Sequence, residues 1–189
     1  RYLERTLVLE TLHHTPTGIA VQVEALALGR GNREHELGAH APGMVLRRVV
    51  CVEGQVEFET DFSPRPEYGL VHPLLREVEG GVLAQGGADR LRLSSPVPLR
   101  LEDSNASGRF TLRAGESVCF ALEHRAWWEE APRAWSQQEL HAWLLDTVEG
   151  WRSWSDMHQN YEGPWRELVH HSGRVLQGLT FQPTGAIVA

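Results

Sequence analysis

Val56-Glu57-Phe58-Glu59-Thr60-Asp61-Phe62 alternates apolar with acidic or hydroxylic residues without a break. That period of two puts Val56, Phe58, Thr60 and Phe62 on one face of a strand and three carboxylates on the other. Pro64 and Pro66 end the run, since proline cannot donate to a sheet ladder. Upstream, Glu53-Gly54 reads as a turn. Before it, Met44 to Val52 is a more apolar run interrupted by Arg47-Arg48, as in a central strand whose charged side chains escape at one end. Gly29 to Gly43 carries Gly, Asn, Glu and His without period and reads as a loop. Further back, Arg5 to Leu12 and Ile19 to Leu26 flank the turn signal Thr15-Pro16-Thr17-Gly18, which predicts a hairpin.

The same grammar continues downstream. Gly81-Val82-Leu83-Ala84 and Arg90-Leu91-Arg92-Leu93 flank Gly86-Gly87. Pro98 to Glu102 leads to a turn at Asp103-Ser104-Asn105. Arg109 to Leu112 and Ser117 to Leu122 bracket Ala114-Gly115-Glu116. Short alternating strands spaced by about ten residues predict a mainly β fold, an antiparallel β-sandwich.

After Pro132 the period changes. Ser136 with Glu139 forms a capping box, and Leu140, Trp143, Leu144, Thr147, Val148, Trp151 and Trp154 recur at helical spacing. A break at 156–163 follows. Pro164 suits the first turn of a second helix, with Trp165, Leu168, Val169, Ser172, Val175, Leu176 and Leu179 on its apolar face. Gln182-Pro183-Thr184-Gly185 closes that helix. One helix is expected to cover the sandwich and the other to need a further packing partner.

The chain has 189 residues, 41% of them hydrophobic, and a formal net charge of -7. That charge argues against a nucleic-acid footprint, which needs clustered Lys and Arg. No apolar run is long enough to span a membrane. The ends carry neither an initiator Met nor a signal peptide, so the sequence is expected to be part of a longer chain, cytoplasmic by default. Cys51 and Cys119 lie in alternating runs and read as small buried hydrophobes, with a disulfide between neighbouring strands as the alternative.

Tyr161-Glu162-Gly163-Pro164-Trp165-Arg166-Glu167, then Leu179-Thr180-Phe181-Gln182-Pro183-Thr184-Gly185-Ala186-Ile187-Val188-Ala189, carry a more specific signal. They resemble the segment leading into the catalytic barrel of bacterial glycoside hydrolase family 15 proteins, which are glucoamylase- or trehalase-like. Leu7-Val8-Leu9-Glu10-Thr11, Leu46-Arg47-Arg48-Val49 and Phe62-Ser63-Pro64-Arg65-Pro66-Glu67-Tyr68-Gly69 are similar to upstream elements of the same family. The family's opening Gly-Ser-Ile-Asp-Trp-type segment is absent, and Val23-Glu24-Ala25-Leu26 stands where the family often has an Asp.

The resemblance implies a supersandwich-like domain followed by two helices that lead into an (α/α)6 barrel lying beyond this sequence. The expected divisions are a sandwich over 1–132, a helical linker over 133–162 and the first barrel helix over 163–189. It implies a parent enzyme that cleaves α-glucosidic bonds in a glucan, an oligosaccharide or trehalose by inversion. Inversion needs two carboxyls about 6.5–9.5 Å apart, one an acid and one a base. The resemblance places both in the barrel, so no catalytic residue, metal or cofactor is expected here. The expected partners are that barrel and a carbohydrate substrate, with no nucleic acid and no membrane. Arg65, Tyr68, Trp151, Trp154, Tyr161 and Trp165 are the expected contacts to the barrel.

The residues themselves offer other candidates. Glu57, Glu59, Asp61, Glu129 and Glu130 are the densest carboxylates, but their positions read as a solvated face. His13-His14 and His170-His171 lack the convergent spacing of a zinc site, as do His35 and His40 in the Gly-rich loop. Gly29-Arg30-Gly31-Asn32 and Gly80-Gly81 are turns rather than phosphate loops, and no nucleophile elbow surrounds Ser172. Of seven tryptophans, most fall on helical stripes and read as core. Trp128, in the adjacent pair Trp127-Trp128, is the candidate for stacking on a sugar. The rival readings are therefore a free-standing carbohydrate-binding module and a structural interaction domain.

Overall fold

A computed structural model describes residues 1–188. Its elements run β1 (Leu9–Thr15), β2 (Gly18–Leu26), β3 (Met44–Phe62), β4 (Leu74–Val78), β5 (Gly81–Gly86) and β6 (Asp89–Ser94). They continue with β7 (Arg100–Glu102), β8 (Asn105–Arg113), β9 (Ser117–Ala126), α1 (Gln137–His158) and α2 (Arg166–Gly178), and end with β10 (Thr180–Phe181) and β11 (Ala186–Ile187). The mainly β, antiparallel fold with two following helices agrees with the sequence reading.

β3 organises the sandwich. Its first half lies between β2 and β9, and its second half, from Gln55, pairs with β8. One layer therefore runs β1-β2-β3-β9-β6-β5-β4, and a smaller one consists of the second half of β3, β8 and β7. The expected turn at Glu53-Gly54 is a bend inside this 19-residue strand instead. Gly54 takes φ +66°, and a Cβ there would stand 2.2 Å from the carbonyl oxygen of Thr17. Glycine permits the close crossing of the hairpin, and the strand changes direction without reversing. The sequence reading also passed over β4, whose Leu74–Val78 holds two adjacent leucines and two charges and so alternates poorly.

The period of two sorts the core. Cys119 and Ala121 of β9 face one side of the large sheet, with Met44 and Leu46 of β3. There Leu140, Leu144, Val148 and Trp151 of α1 cover them. Phe120 faces the other way and packs with Phe62, Val82, Leu93 and Ala106 between the two layers. The architecture is thus helix, large sheet, small sheet. Ser136 caps α1 by accepting from the backbone of Glu139, and the Glu139 side chain accepts from the Ser136 backbone, completing the predicted capping box.

α2 begins at Arg166, so Pro164 precedes the helix rather than opening it. The helix turns its polar side inward. Its buried residues are His170 and Arg174, while Leu168, Val169, Leu176 and Leu179 are exposed. Gln159, just past α1, ties the two helices: it accepts from Arg174 at 2.7 Å and donates to the His170 carbonyl. The 182–185 stretch expected to close α2 is the loop of a small hairpin between β10 and β11. Cys51 and Cys119 are both buried and free, and burial pushes the Cys119 thiol up.

Candidate functional site

The exposed apolar residues gather on α2 and the hairpin after it. Trp165 is 67% exposed, Leu168 64% and Phe181 56%. A groove of about 500 Å³ lies beside them, lined by Tyr2, Leu7, Leu26, Val175, Leu179 and Phe181, among others. Trp151 also reaches this groove, although only 6% of it is exposed. Isolated surface leucines need no explanation, but a contiguous apolar face with an adjoining groove has the character of an interface.

The expected contact residues divide into two places. Trp151 belongs to the core under α1, its ring edge-on to Trp154 at 6.2 Å. Trp154 is half-buried and lies 5.1 Å from His158, which meets His35 at 4.8 Å. Tyr161 rests on Gly163, where a Cβ would come within 2.0 Å of the tyrosine hydroxyl. That close approach is a physical reason for glycine two residues after the tyrosine. Together with Trp165, these residues surround the α1–α2 junction.

Arg65 and Tyr68 lie elsewhere, beyond the end of β3 in the smaller layer. Arg65 donates to the Ser104 carbonyl at 3.1 Å and to Asn105 Oδ1 at 2.8 Å, tying its loop to the β7–β8 turn. Tyr68 is fully exposed, and both it and Glu67 adopt left-handed backbone conformations, φ +57° and +51°. None of the Arg65 partners comes from α1 or α2.

Trp128 is 70% exposed, with Trp127 edge-on at 6.5 Å. Their loop is braced by Arg90, which donates to the carbonyls of Trp127 and Glu129. The two indole planes are nearly perpendicular and so form no flat strip. Trp135 and Trp143 are structural: they pack edge-to-face at 5.0 Å and donate to Glu123 and to the Leu28 carbonyl. The Arg133 guanidinium lies 3.5 Å over the Trp135 ring.

A general acid needs a carboxyl held above its ordinary pKa. The carboxyls shifted in this structure go the other way. Burial raises Glu24, but hydrogen bonds from Gln22 and Arg47 and the Arg47 charge outweigh it. Burial likewise raises Asp146, but hydrogen bonds from Arg33 and the Gly31 backbone outweigh it and hold the carboxyl below its ordinary value. Glu139 is lowered to about 2 by hydrogen bonds from Arg133 and Ser136. Glu57, Glu59 and Asp61 are exposed along the second half of β3. Among the described residues, no three His, Cys, Asp or Glu side chains converge as metal ligands would.

The inward placement of His170 and Arg174 escaped the sequence reading. The Nε2 of His170 and the Nε of Arg174 are buried without a hydrogen-bond partner. Burial pushes the Arg174 pKa down. Both positions fall on the polar stripe of an amphipathic helix, which the sequence alone assigns to solvent. Among the described residues, no helix is long and apolar enough to cross a membrane.

No family model matches the chain. Over its whole length it is similar to the trehalases of Mycobacterium tuberculosis and Mycolicibacterium smegmatis, each 30% identical over 206 residues. A trehalase of Thermoplasma volcanium is 23% identical over 149 residues, which cover 77% of the chain. The chain spans about 30% of the length of the two mycobacterial relatives and 23% of the archaeal one. It is thus related throughout to proteins named as trehalases.

Proposed function

We propose that this chain is the non-catalytic accessory part of a glycoside hydrolase of family 15 type. Trehalose is the leading substrate of the whole enzyme, and α-linked glucans or oligosaccharides are the next. The observation that carries the reading is similarity to trehalases along the entire chain, at about a third of their length. In this reading the sandwich buttresses a helical barrel, with the apolar side of α2 and its groove packed against it. Trp165, Tyr161 and Trp154 lie at the junction. Arg65 and Tyr68, in the other layer, make a separate contact or serve only to fix the strand exit. Hydrolysis proceeds by inversion, through carboxyls supplied by the barrel.

The test joins gene and assay. The reading frame around these residues is expected to encode a helical barrel with two separated acidic residues in its loops. That full polypeptide should release glucose from trehalose, while the 189-residue chain alone should release none. Hydrolysis by the 189-residue chain overturns the non-catalytic assignment. A frame without any barrel overturns the hydrolase reading and leaves sugar binding by Trp127 and Trp128 as the property to measure.

A further inference from the structure

A pocket of about 270 Å³ lies beneath the first turns of α2, between that helix, the end of α1 and the segment 2–5. Arg166, His170 and Arg174 recur at intervals of four, so one stripe of α2 faces it. That stripe is opposite the exposed Leu168 and Leu176, so the pocket is not part of the apolar outer side. The described ends of the chain do not run into it. Arg1 and Tyr2 pair with Glu10 and Leu9 of β1, and the Val188 amide donates to the Leu179 carbonyl, past the far end of α2. At the buried end of the pocket, Ser155, His170 and Arg174 are 3%, 6% and 8% exposed. Arg174 gives one Nη to Gln159, but its Nε and the Nε2 of His170 have no partner. Arg5 pairs with Asp156 and Arg166 with Glu167, which leaves Glu4 and Arg174 without an ion-pair partner among the described residues. Buried polar groups left unmet are costly, so each one needs an explanation.

We propose that this pocket binds a neutral, polyhydroxylated ligand of the size of one sugar ring. Three guanidiniums, of Arg5, Arg166 and Arg174, and three carboxylates, of Glu4, Asp156 and Glu167, line it, and their charges cancel. An anion or a cation would meet like charge there, whereas a neutral ligand does not. Carboxylates only accept hydrogen bonds and guanidiniums only donate them. Adjacent hydroxyls do both, so a polyol finds partners of each kind, and a planar carboxylate or guanidinium can engage two hydroxyls at once. The volume falls below the roughly 300–1,000 Å³ of sites for drug-sized ligands, which limits the occupant to one ring. At the mouth, the ring of Tyr2 is half exposed and lies 5.2 Å from His171. It offers an apolar face to the C–H side of a sugar. Ligand hydroxyls at the buried end supply the partners that Arg174 and His170 lack, and an occupied site ties α1, α2 and the segment 2–5 together. The site contains none of the catalytic carboxyls assigned to the barrel, so its failure leaves the proposed function untouched.

The experiment titrates the 189-residue chain with glucose, and separately with sodium acetate at matched ionic strength, while amide NMR shifts report the contact. Glucose is expected to give saturable shifts confined to 2–5, 155–159 and 166–174, and acetate none. Arg174→Lys and Glu4→Ala should each weaken glucose binding about tenfold, the loss expected for hydrogen bonds to a charged group. Glu4 is exposed, so its variant keeps the test valid even where Arg174→Lys disturbs the helix pair. Absence of saturable shifts with glucose, shifts centred on Trp127 and Trp128, or unchanged affinity in Glu4→Ala overturns the proposal. Acetate producing the same shifts overturns it in favour of an anion site. The full polypeptide is then compared by amide exchange: glucose should add protection at 166–174. Full protection of those amides without glucose, and no change on adding it, assigns the pocket to a contact within the polypeptide and overturns the proposal.

Discussion

Two leucines separate a helix that belongs to this fold from one that also faces outward. Leu144 of α1 is 5% exposed and packs on the large sheet, whereas Leu168 of α2 is 64% exposed. Truncating a buried leucine to alanine costs about 2–5 kcal/mol, through lost transfer energy and the cavity left behind. For a domain of this size, 1 kcal/mol lowers the melting temperature by about 2–4 °C. Leu144→Ala should therefore melt roughly 4–20 °C below the parent, while Leu168→Ala should stay within about 0.5 kcal/mol of it. Urea unfolding followed by tryptophan fluorescence gives both values, with the slope of the transition checking that each variant unfolds in one step. In a longer polypeptide whose barrel covers α2, Leu168→Ala should acquire a cost close to that of a buried leucine. A large loss from Leu168→Ala in the 189-residue chain would refute the reasoning, because the α2 face would then already be buried, for instance by self-association.

Four further outcomes follow from the described contacts. Ser136→Ala removes the cap of α1 and should cost about 1 kcal/mol by urea unfolding. Glu139 is lowered in the fold, so its contribution is complete above an unfolded value near 4.5 and is lost as pH falls through about 2. Glu139→Gln should accordingly flatten the acid limb of the stability curve between those values and leave its alkaline side unchanged. Gly54→Ala places a Cβ 2.2 Å from the Thr17 carbonyl at a positive φ, so it should destabilise by more than about 1 kcal/mol and loosen amides of the β2–β3 pairing. Cys51 and Cys119 are buried, with the Cys119 thiol pushed up, so a thiol reagent should modify neither until denaturant is added.

Much of the sandwich was legible because alternation reports burial directly. Val56 to Phe62 announced which face turns inward, and the Ser136–Glu139 box fixed the start of α1 to the residue. The bend at Gly54 was not legible as a bend. A Glu-Gly pair signals a turn, and only the crossing of the β1–β2 hairpin shows that the strand carries on. β4 was missed because its burial comes from β5 and from the layer below, not from its own pattern. The expected contact residues came from motif resemblance and helical spacing, which carry no tertiary geometry. Hence Arg65 and Tyr68 could not be known to lie in a different layer from Trp154 and Trp165.

The polarity of α2 has a consequence for how the pieces belong together. A helix that packs only on its own domain turns its apolar stripe inward. α2 does the reverse, burying His170 and Arg174 and exposing Trp165, Leu168 and Leu176. Polar ties hold it as well: Gln159 bridges both helices and Gln177 donates to the Leu37 carbonyl. Sealing a large apolar side chain contributes about 1.5–3 kcal/mol when burial is complete. Covering three such half-exposed residues is then worth several kcal/mol, a sizeable share of the roughly 5–15 kcal/mol that holds a typical domain together. A partner on this face would thus change the stability of the whole chain as well as its shape. Polar buried contacts beneath an apolar outer side are what the proposed contact with a barrel would require of α2.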